Sequence, residues 1–439
     1  MTEVSGTGVQ LIQQVRVLDA MTQTDQVADV LVQDGVVTEV ASSLTVIPAS
    51  AEMIQGQGKV LLPGLVDLYS HSGEPGHEPR ETLASLLAAG QAGGFTRLGI
   101  LPNTEPAIDH PAMVEKLLGR RATLAQTNPS LPHLYPWGAL TQGAQGQQMV
   151  ELVELSEAAI AGFADGRAIQ NPLLTQRLLQ YLKPLGKPVA LYCCDRTLRD
   201  SGVAREGPFS LIYGLVGDPA SSETAALAAL LETVAEVGTP VHLMRISTGR
   251  GVELVRQAKE RGLPITASTT WMHLLWSAKD LGSYDPNLRL SPPLGNPEDQ
   301  AALIEGVKAG VVDAIAIDHT PHTYEDKTVG FPSAPTGAIG LELALGILWD
   351  TFVTHGDWSP LQLVQALSTN PAACWGQTPP TIQAQQPAEM VLFAPSTTWM
   401  VEPSTLRSLS ANTPWLGQAI PGRVLRTWGP PLTHSPTQL

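Results

Sequence analysis

From residue 63 onward the sequence alternates short apolar runs with longer amphipathic stretches, and this alternation constrains the fold more than any other feature. The apolar runs have strand character, and each is followed by a polar loop and then by a segment with helical periodicity. Strands that alternate with helices form parallel sheets, and about eight repeats favour closure into a (β/α)8 TIM-type barrel. The predicted strands lie at residues 65–68, 96–101, 159–163, 188–192, 241–246, 265–269 and 314–318.

Both ends of the chain have β character without helices between the strands. Near the N-terminus Asp34-Gly35 marks a hairpin between two β-rich runs, and residues 390–393 and 422–427 return to this pattern. We therefore predict an α/β protein in which the barrel is flanked by a small β-sandwich module formed from both termini. The predicted boundaries are 1–62 for the N-terminal part of the module, 63–385 for the barrel and 386–439 for the C-terminal part.

The composition limits the classes of function. A chain of 439 residues with 43% hydrophobic content can bury a large core, and its formal net charge of -15 argues against nucleic acid or an anionic membrane as a partner. The three cysteines, of which Cys193 and Cys194 are adjacent, form neither a disulfide framework nor a Cys-x-x-Cys metal motif. We find no secretory signal and no apolar run of membrane-spanning length, so we predict a cytoplasmic protein.

Short motifs follow the predicted strands in a fixed order. In order and spacing they resemble the dihydroorotase branch of the amidohydrolase superfamily over nearly the full length of the chain. The segment from Val66 to Gly76 looks like the metal-binding opening of a dihydroorotase, which reads Asp-x-His-x-His-x-Arg-Glu-Pro-Gly. Other matching motifs are Gly93-Gly94-Phe95-Thr96, Pro102-Asn103-Thr104, Arg205-Glu206-Gly207, Ser247-Thr248, Pro292-Pro293-Leu294, Asp318-His319-Thr320-Pro321-His322, Gly340-Leu341-Glu342, Thr369-Asn370-Pro371 and Asn412-Thr413-Pro414.

The resemblance implies a metal centre, in which divalent ions polarise a cyclic amide and activate water while a late aspartate moves the proton. The family holds its metal with four histidines and carboxylates. This chain keeps His71 and Asp318 at two of these positions, and Asp165 stands near a third in a turn that is one residue short. The other histidine positions are occupied by Tyr69, Tyr192 and Arg245.

Arg245 is the replacement with the largest chemical consequence. An arginine does not deprotonate to bind a metal, and its charge repels a divalent ion. We therefore expect no bound metal, with zinc as the cofactor only if the site is active, and we regard Asp318 as a vestigial catalytic residue. We predict that Arg245 and Asp318 form a partly buried ion pair across the former metal site. Tyr69 or Tyr192 is predicted to donate a hydroxyl hydrogen bond there.

The resemblance also implies positions that contact substrate. Two of them differ from the family, because Gly73 stands where the family has an arginine and Ser291 stands where it has an asparagine. His71 alone equally fits a structural role, since a single ligand holds zinc weakly. The predicted substrate-binding residues are Asn103, His322, Arg245 and Gly337.

Three functions fit these residues. The leading hypothesis is a catalytically impaired pseudo-dihydroorotase of de novo pyrimidine (UMP) biosynthesis, which forms a homo-oligomer and supports assembly with aspartate transcarbamoylase. Some bacteria have inactive dihydroorotase-like subunits with this partner. The second hypothesis is an active dihydroorotase, which interconverts N-carbamoyl-L-aspartate and dihydroorotate with His71, Asp165 and Asp318 as residual ligands. The third is a non-catalytic protein that binds an anionic metabolite through Arg245, Asn103 and His322.

Overall fold

The structure is a computed structural model that describes residues 8–429 of the chain. Its main features are a barrel of parallel strands and a separate sheet built from both ends of the chain. The strands in chain order are β1 (Val9–Asp19), β2 (Thr24–Gln33), β3 (Val36–Ala41), β4 (Glu52–Gln55), β5 (Val60–Pro63), β6 (Leu65–Ser70), β7 (Phe95–Ile100), β8 (His133–Gly138), β9 (Gly162–Phe163), β10 (Ala190–Tyr192), β11 (Ala204–Arg205), β12 (Gly217–Asp218), β13 (Val241–Met244), β14 (Ile265–Thr270), β15 (Ala314–Ala316), β16 (Met390–Met400) and β17 (Ala419–Trp428).

The barrel wall contains strands β6, β7, β8, β9, β10, β13, β14 and β15, in this order. Its two hydrogen-bonded halves meet on one side at a parallel bridge between Phe163 and Val189. On the other side the backbone N–H of Asp318 donates to the carbonyl of Tyr69 at 3.2 Å, which joins the end of β15 to β6. The barrel predicted from the alternating pattern is therefore confirmed.

Helices return the chain between the barrel strands, and polar caps fix where several of them begin. The Thr82 hydroxyl accepts the backbone N–H of Ser85 at the start of the first helix, and Asn171 caps the fourth in the same way. Within residues 8–429 no helix is both long and apolar enough to cross a lipid bilayer. The helices are α1 (Leu83–Ala92), α2 (Pro111–Ala125), α3 (Leu152–Glu157), α4 (Pro172–Leu182), α5 (Arg196–Arg199), α6 (Pro208–Ile212), α7 (Ser221–Val237), α8 (Gly249–Glu260), α9 (Trp271–Leu275), α10 (Pro297–Lys308), α11 (Tyr324–Lys327), α12 (Ala344–Leu348), α13 (Pro360–Val364) and α14 (Asn370–Cys374).

Wider helical turns extend two of these helices. The segment Trp349–Thr354 continues α12, and the segment Gln365–Thr369 joins α13 to α14. Both segments have the hydrogen-bond spacing of a π-helix, which accommodates one extra residue per turn. They lie on the side of the barrel that faces the terminal sheet, since α12 packs against β17 and α13 packs against β1.

Both termini contribute to one seven-stranded sheet with the order β17, β16, β5, β1, β2, β3 and with β4 beside β1. Strand β16 links the two ends of the chain, because Met390–Phe393 pairs antiparallel with β5. The indole of Trp428 donates to the side chain of Gln10 at 2.7 Å, so the last strand also reaches the first. A separate apolar core lies inside this module. The predicted β-sandwich module is therefore confirmed, whereas the domain boundaries at 62/63 and 385/386 stay a prediction.

Strand β8 is absent from the pattern that predicted the barrel. It contains Pro136, and a proline inside an apolar run argues against a strand because it has no backbone N–H to donate. The carbonyl of Pro136 still accepts the N–H of Ala161 at 2.8 Å, so pairing continues on that side. The strand predicted at residues 159–163 is shortened to Gly162–Phe163. Tertiary closure therefore maintains barrel strands that local sequence preference does not specify.

Candidate functional site

A cavity of about 540 Å³ opens at the carboxyl ends of the barrel strands, and we call it the barrel mouth. The residues that line it follow successive strands. His71 follows β6, Asn103 follows β7, Gly166 follows β9, Arg245 follows β13 and Asp318 follows β15. Active sites of (β/α)8 enzymes lie at this face, because the loops after the strands converge there.

Arg245 and Asp318 form a bidentate ion pair in the barrel mouth. Nε of Arg245 donates to Oδ2 of Asp318 at 2.8 Å, and Nη2 donates to Oδ1 at 2.6 Å. Nη1 donates to the carbonyl of Gly166 at 2.8 Å. Burial alone would raise the pKa of Asp318, but the adjacent guanidinium outweighs burial and holds this pKa well below its usual range. The ion pair predicted from the sequence is therefore present.

The two tyrosines at former ligand positions contact the same guanidinium with their rings. Cζ of Arg245 lies 5.3 Å from the ring centroid of Tyr69 and 5.5 Å from that of Tyr192. A guanidinium within ~6 Å of an aromatic centroid is attracted by the negative face of the ring. Tyr69, Tyr192 and Arg245, at the positions where the resemblance implies histidines, therefore form one unit, in which two rings and the Asp318 carboxylate stabilise one cation.

The hydroxyl hydrogen bond to the ion pair, predicted for Tyr69 or Tyr192, is not donated by Tyr69. The hydroxyl of Tyr69 lies 2.8 Å from Oγ of Ser268 and accepts the backbone N–H of Arg245 at 3.2 Å. Nε2 of His242 lies 2.8 Å from the same Ser268 oxygen, and burial lowers the pKa of His242 to about 3. The tyrosine hydroxyl thus satisfies neutral polar groups inside the barrel, and only its ring stabilises the pair.

His71 is the remaining ligand-type histidine in the mouth. Its Nε2 atom lies 3.4 Å from Nη2 of Arg245 and 3.7 Å from Oδ1 of Asp318. Nη2 of Arg245 therefore contacts both groups that could have shared a metal. His71 therefore lies against both members of the ion pair.

Asp165 does not join His71 and Asp318, which corrects its prediction as a residual ligand. Its side chain is 2% exposed and lies outside the lining of the mouth. One carboxylate oxygen accepts the backbone N–H groups of Leu140 and Thr141 at 2.8 and 3.1 Å, and the other accepts the Thr141 hydroxyl at 2.6 Å. Asp165 therefore fixes the loop after β8, and the next residue, Gly166, reaches the mouth instead.

These donors do not fit a divalent metal. A catalytic zinc site uses about three protein ligands at ~2.0–2.3 Å, and the ligands must be neutral imidazole or anionic groups. Of the positions where the resemblance implies ligands, His71 and Asp318 are the ones retained in the mouth, and the cation of Arg245 contacts both of them. Within residues 8–429 no group of three or more His, Cys, Asp or Glu side chains is arranged to hold a metal ion. We therefore derive no metal-dependent step for this site.

The predicted substrate-binding residues Asn103, His322 and Gly337 all line the mouth. Nε2 of His322 lies 2.9 Å from the Thr336 carbonyl, and burial lowers the pKa of His322 to about 4. The imidazole is therefore neutral at pH 7 and donates to this carbonyl. The backbone N–H of Gly337 donates to the carbonyl of Arg289 at 2.7 Å. Nε2 of His322 and the N–H of Gly337 therefore already have protein partners, whereas Asn103 lines the cavity after the end of β7.

Gly73, at the position of the family's substrate arginine, lies in a loop that has no room for a side chain. A Cβ atom at this position would lie 2.3 Å from the carbonyl oxygen of Glu81 and 2.6 Å from that of His77. Both obstacles are backbone atoms, which do not move aside as a flexible side chain does. The arginine is thus lost together with the loop conformation that could hold it.

Backbone strain is stored at both members of the ion pair. Arg245 has φ +56° and Asp318 has φ +52°, in the left-handed region that non-glycine residues rarely adopt. Each such residue costs on the order of 1–3 kcal/mol, and such residues cluster at functional sites. The backbone at both strand ends therefore has the left-handed conformation that is often found at functional sites.

Sequence reasoning missed four further arginines that line the mouth. Two of them, Arg196 and Arg199, lie on α5 directly after β10. Their position after a barrel strand was a usable signal, because residues at these strand ends face the mouth. Nη1 of Arg199 donates to Oγ of Ser291 at 3.1 Å, so the residue at the family's asparagine position now binds an arginine. The other two arginines are Arg80 and Arg167.

Solved structures with a similar fold include an L-hydantoinase and a dihydropyrimidinase. The L-hydantoinase (dihydropyrimidinase) of Arthrobacter aurescens superposes with a TM-score of 0.82 at 21% identity, over 97% of this chain and 98% of that chain. A dihydropyrimidinase from Brevibacillus agri superposes with a TM-score of 0.78 at 22% identity, over 96% of this chain and 94% of that chain. At such identities the likeness shows the fold alone. The chain therefore shares its overall fold, including the module made by both termini, with these two proteins.

Sequence comparison identifies the family within this fold. Residues 58–250 match the profile described as Dihydro-orotase-like. A probable dihydroorotase-like protein of Synechocystis is 44% identical over 436 residues, covering 94% of this chain and 98% of the relative. A dihydroorotase of Pelotomaculum thermopropionicum is 35% identical over 409 residues, covering 92% and 93%. The chain belongs to the dihydroorotase-like family.

Proposed function

We propose that this protein is a pseudo-dihydroorotase of pyrimidine biosynthesis, in which an ion pair has replaced the metal centre. The single observation that carries this proposal is the bidentate contact between Arg245 and Asp318. The aspartate that would move a proton in the family's reaction is engaged by a permanent cation, and its pKa is held well below the range useful for proton transfer. Hydrolysis of a cyclic amide then lacks both its electrophile and its base.

Turnover of dihydroorotate and of N-carbamoyl-L-aspartate tests this proposal directly. The purified protein is assayed in both directions with added zinc, beside an active dihydroorotase treated in the same way. We expect turnover no faster than the reaction without protein. Zinc-dependent turnover by the unaltered chain, removed by a chelator and by Asp318→Asn, would overturn the proposal in favour of an active dihydroorotase that uses residual ligands.

The proposed role of the protein is assembly with aspartate transcarbamoylase in the cytoplasm, as part of a homo-oligomeric complex. The support is indirect: the barrel, the terminal sheet and the motif framework are kept while the mouth has changed. Mixing this protein with the purified aspartate transcarbamoylase of the same genome tests the role. A stable complex in sedimentation, with altered transcarbamoylase activity, is the expected result. Two species that sediment independently at micromolar concentration would contradict it.

A non-catalytic anion binder is the second function that a specific observation favours. The observation is the excess of arginines around the mouth. The predicted route through Arg245 and His322 is not the one that the contacts support, because Asp318 already neutralises Arg245 and His322 is neutral at pH 7. An anion would have to use other cations.

A further inference from the structure

The barrel mouth is positively charged although the chain as a whole is acidic. Five arginines and a single carboxylate, that of Asp318, line the cavity, whereas the whole chain has a formal net charge of -15. Such a local reversal of charge concentrates anions at the cavity, because a partly enclosed site with low-dielectric walls focuses the field. The positive charge of the mouth is therefore a local feature that the composition of the whole chain does not explain.

Two of the five arginines are neutralised by nearby carboxylates. Arg245 is paired with Asp318, and Nε of Arg80 lies 2.9 Å from Oδ2 of Asp326. These two ion pairs therefore contribute little net charge to the mouth. The remaining positive charge is carried by Arg167, Arg196 and Arg199.

These three arginines are poorly compensated. Nε of Arg199 lies 3.7 Å from Asp218, a longer contact than the other two pairs make, and the same carboxylate is 3.6 Å from Nη1 of Arg205. One carboxylate thus serves two guanidinium groups. Within residues 8–429 no carboxylate lies within 4 Å of the side-chain nitrogens of Arg167 or Arg196. An uncompensated charge of about two to three units therefore faces the cavity.

The position of these arginines differs from that of the family's substrate arginine. Gly73, at the family's arginine position, follows β6, whereas Arg196 and Arg199 follow β10. In the strand order of the barrel wall, β10 is separated from β6 by three strands in either direction. The two positions therefore lie on opposite sides of the mouth, and the cationic wall is now the one formed by the loops after β9 and β10.

Arg289, beside this wall, is a second sign of uncompensated positive charge. It is 8% exposed, its Nε atom has no hydrogen-bond partner, and the next two residues, Leu290 and Ser291, line the mouth. Burial and the neighbouring charge of Arg199 lower the pKa of Arg289 to about 10. The carboxylate of Asp218 opposes this shift but forms no ion pair with Arg289 within 4 Å, and a buried arginine without a close counterion is costly unless an anion approaches it.

We propose that the wall of the mouth formed by Arg167, Arg196 and Arg199 binds a small anion with at least two negative charges, such as a dicarboxylate or a phosphate ester. Two or three cations favour a dianion over a monoanion, because each extra ligand charge interacts with all of them. The cavity of about 540 Å³ accommodates a ligand of metabolite size. This inference rests on the proposed function, since a site without turnover holds its ligand unchanged.

Calorimetric titration at mildly alkaline pH and constant ionic strength tests the proposal with three probes: inorganic phosphate, succinate and acetate. We expect phosphate, succinate or both to bind, and acetate to bind at least tenfold more weakly, because it carries one charge. Binding of phosphate alone would assign the site to phosphate esters, and binding of succinate alone would assign it to dicarboxylates. No heat with any probe at millimolar concentration, or equal affinity for acetate, would overturn the proposal.

The double variant Arg167→Gln/Arg196→Gln locates the binding site. Both side chains are exposed, so their removal leaves the fold intact, and we expect affinity for the bound dianion to fall about tenfold. The matched control is Arg256→Gln/Arg261→Gln, which removes the same charge from exposed positions outside the mouth. An equal loss in the control would show a general charge effect and contradict the assignment. Turnover is measured on the same samples, so an active enzyme would refute the proposed function without touching this result.

Discussion

Arg245 and Asp318 depend on each other because both are largely shielded from water. Arg245 is 5% exposed and the side chain of Asp318 is 16% exposed. Removing one partner from such a pair leaves the other charge buried without compensation, which is far more costly than removing both. Each charge therefore makes burial of the other in the mouth tolerable.

Arg245→Met is expected to destabilise the protein by about 3 kcal/mol, since it leaves Asp318 as an unpaired buried carboxylate. The double variant Arg245→Met/Asp318→Asn removes both charges and is expected to recover at least half of that loss. Urea unfolding of the parent protein, both single variants and the double variant measures the coupling. If the effects of the two single changes simply add, the two side chains do not form a buried ion pair.

Gly73→Ala tests the steric account of the lost substrate arginine. We expect a loss of about 2 kcal/mol in the free energy of unfolding, because the new Cβ would meet the backbone carbonyls of Glu81 and His77. Gly119→Ala is the matched control. Gly119 lies inside α2 with open space around it, so alanine there is expected to stabilise the helix by about 0.5–1 kcal/mol. Equal effects of the two changes would contradict the crowding of the Gly73 loop.

The ion pair between Arg245 and Asp318 could be predicted from the sequence, but the contacts of the residues around it could not. An arginine at a ligand position after β13 and a retained aspartate after β15, two strands along the barrel wall, predict a charge pair, because parallel strands bring their carboxyl ends to the same face of the barrel. The orientation of a tyrosine is not specified in this way: whether Tyr69 uses its ring or its hydroxyl depends on Ser268, which is 199 positions away in sequence. Asp165 was misplaced because a one-residue difference in a turn exchanges which residue faces the cavity.

At the scale of elements, Asp67 holds the seam where the barrel closes. Oδ1 of Asp67 on β6 accepts the backbone N–H of Ile317, just after β15, at 2.8 Å, and Oδ2 accepts the Ser70 hydroxyl at 2.5 Å. Burial raises the pKa of Asp67 to about 7 despite these hydrogen bonds. The strand closure therefore includes a carboxyl group that is protonated in the folded protein at mildly acidic pH.

Because this pKa is higher in the folded than in the unfolded chain, the contribution of Asp67 to stability is complete below about pH 4 and falls as pH rises toward 7. Asp67→Asn mimics the protonated form. We expect it to reduce the decline in unfolding free energy between pH 5 and 7 relative to the parent protein, as measured by urea unfolding at several pH values. Parallel pH profiles of the two proteins would show that Asp67 is already charged in the fold.

The strand that the sequence missed, β8, and the strand that it predicted too long, β9, share a physical cause. In β8 a proline removes one donor, and β9 has only two residues in strand conformation. Each is maintained by its neighbours in a closed wall, where the missing hydrogen bonds of one strand are tolerated because the others fix its position.

At the scale of the whole molecule, a buried ion pair joins the barrel to the terminal sheet. Arg97 on β7 donates to both carboxylate oxygens of Glu389, at 2.8 and 2.7 Å, and Thr96 donates to the same carboxylate at 2.7 Å. The side chains of Arg97 and Glu389 are 13% and 6% exposed. Glu389 immediately precedes β16, the strand that links both chain ends.

Glu389→Ala is expected to lower the free energy of unfolding by about 3 kcal/mol, because it leaves Arg97 buried without a counterion. Glu253→Ala, which removes an exposed partner of Arg256, serves as the control and is expected to change stability by less than about 0.5 kcal/mol. Both are measured by the same urea unfolding experiment. A small effect at Glu389 would mean that this ion pair contributes little to holding the two parts of the fold together.

The protein is a dihydroorotase-like barrel with a terminal sheet, and Tyr69, Tyr192 and Arg245 stand at the three positions where the resemblance to dihydroorotases implies ligand histidines. The chemistry of these three residues disfavours a bound divalent metal. If Tyr69, Tyr192 and Arg245 are what excludes zinc, returning histidine to these positions should restore binding.

Zinc stoichiometry of the parent protein and of the variant Tyr69→His/Tyr192→His/Arg245→His, measured by equilibrium dialysis on folded samples, tests this claim most directly. The account predicts no specific zinc on the parent chain, and on the variant at least one zinc per chain that is lost on further substitution of Asp318. Stoichiometric zinc on the parent chain would contradict it, because a metal would then be bound beside the guanidinium that we infer has replaced it.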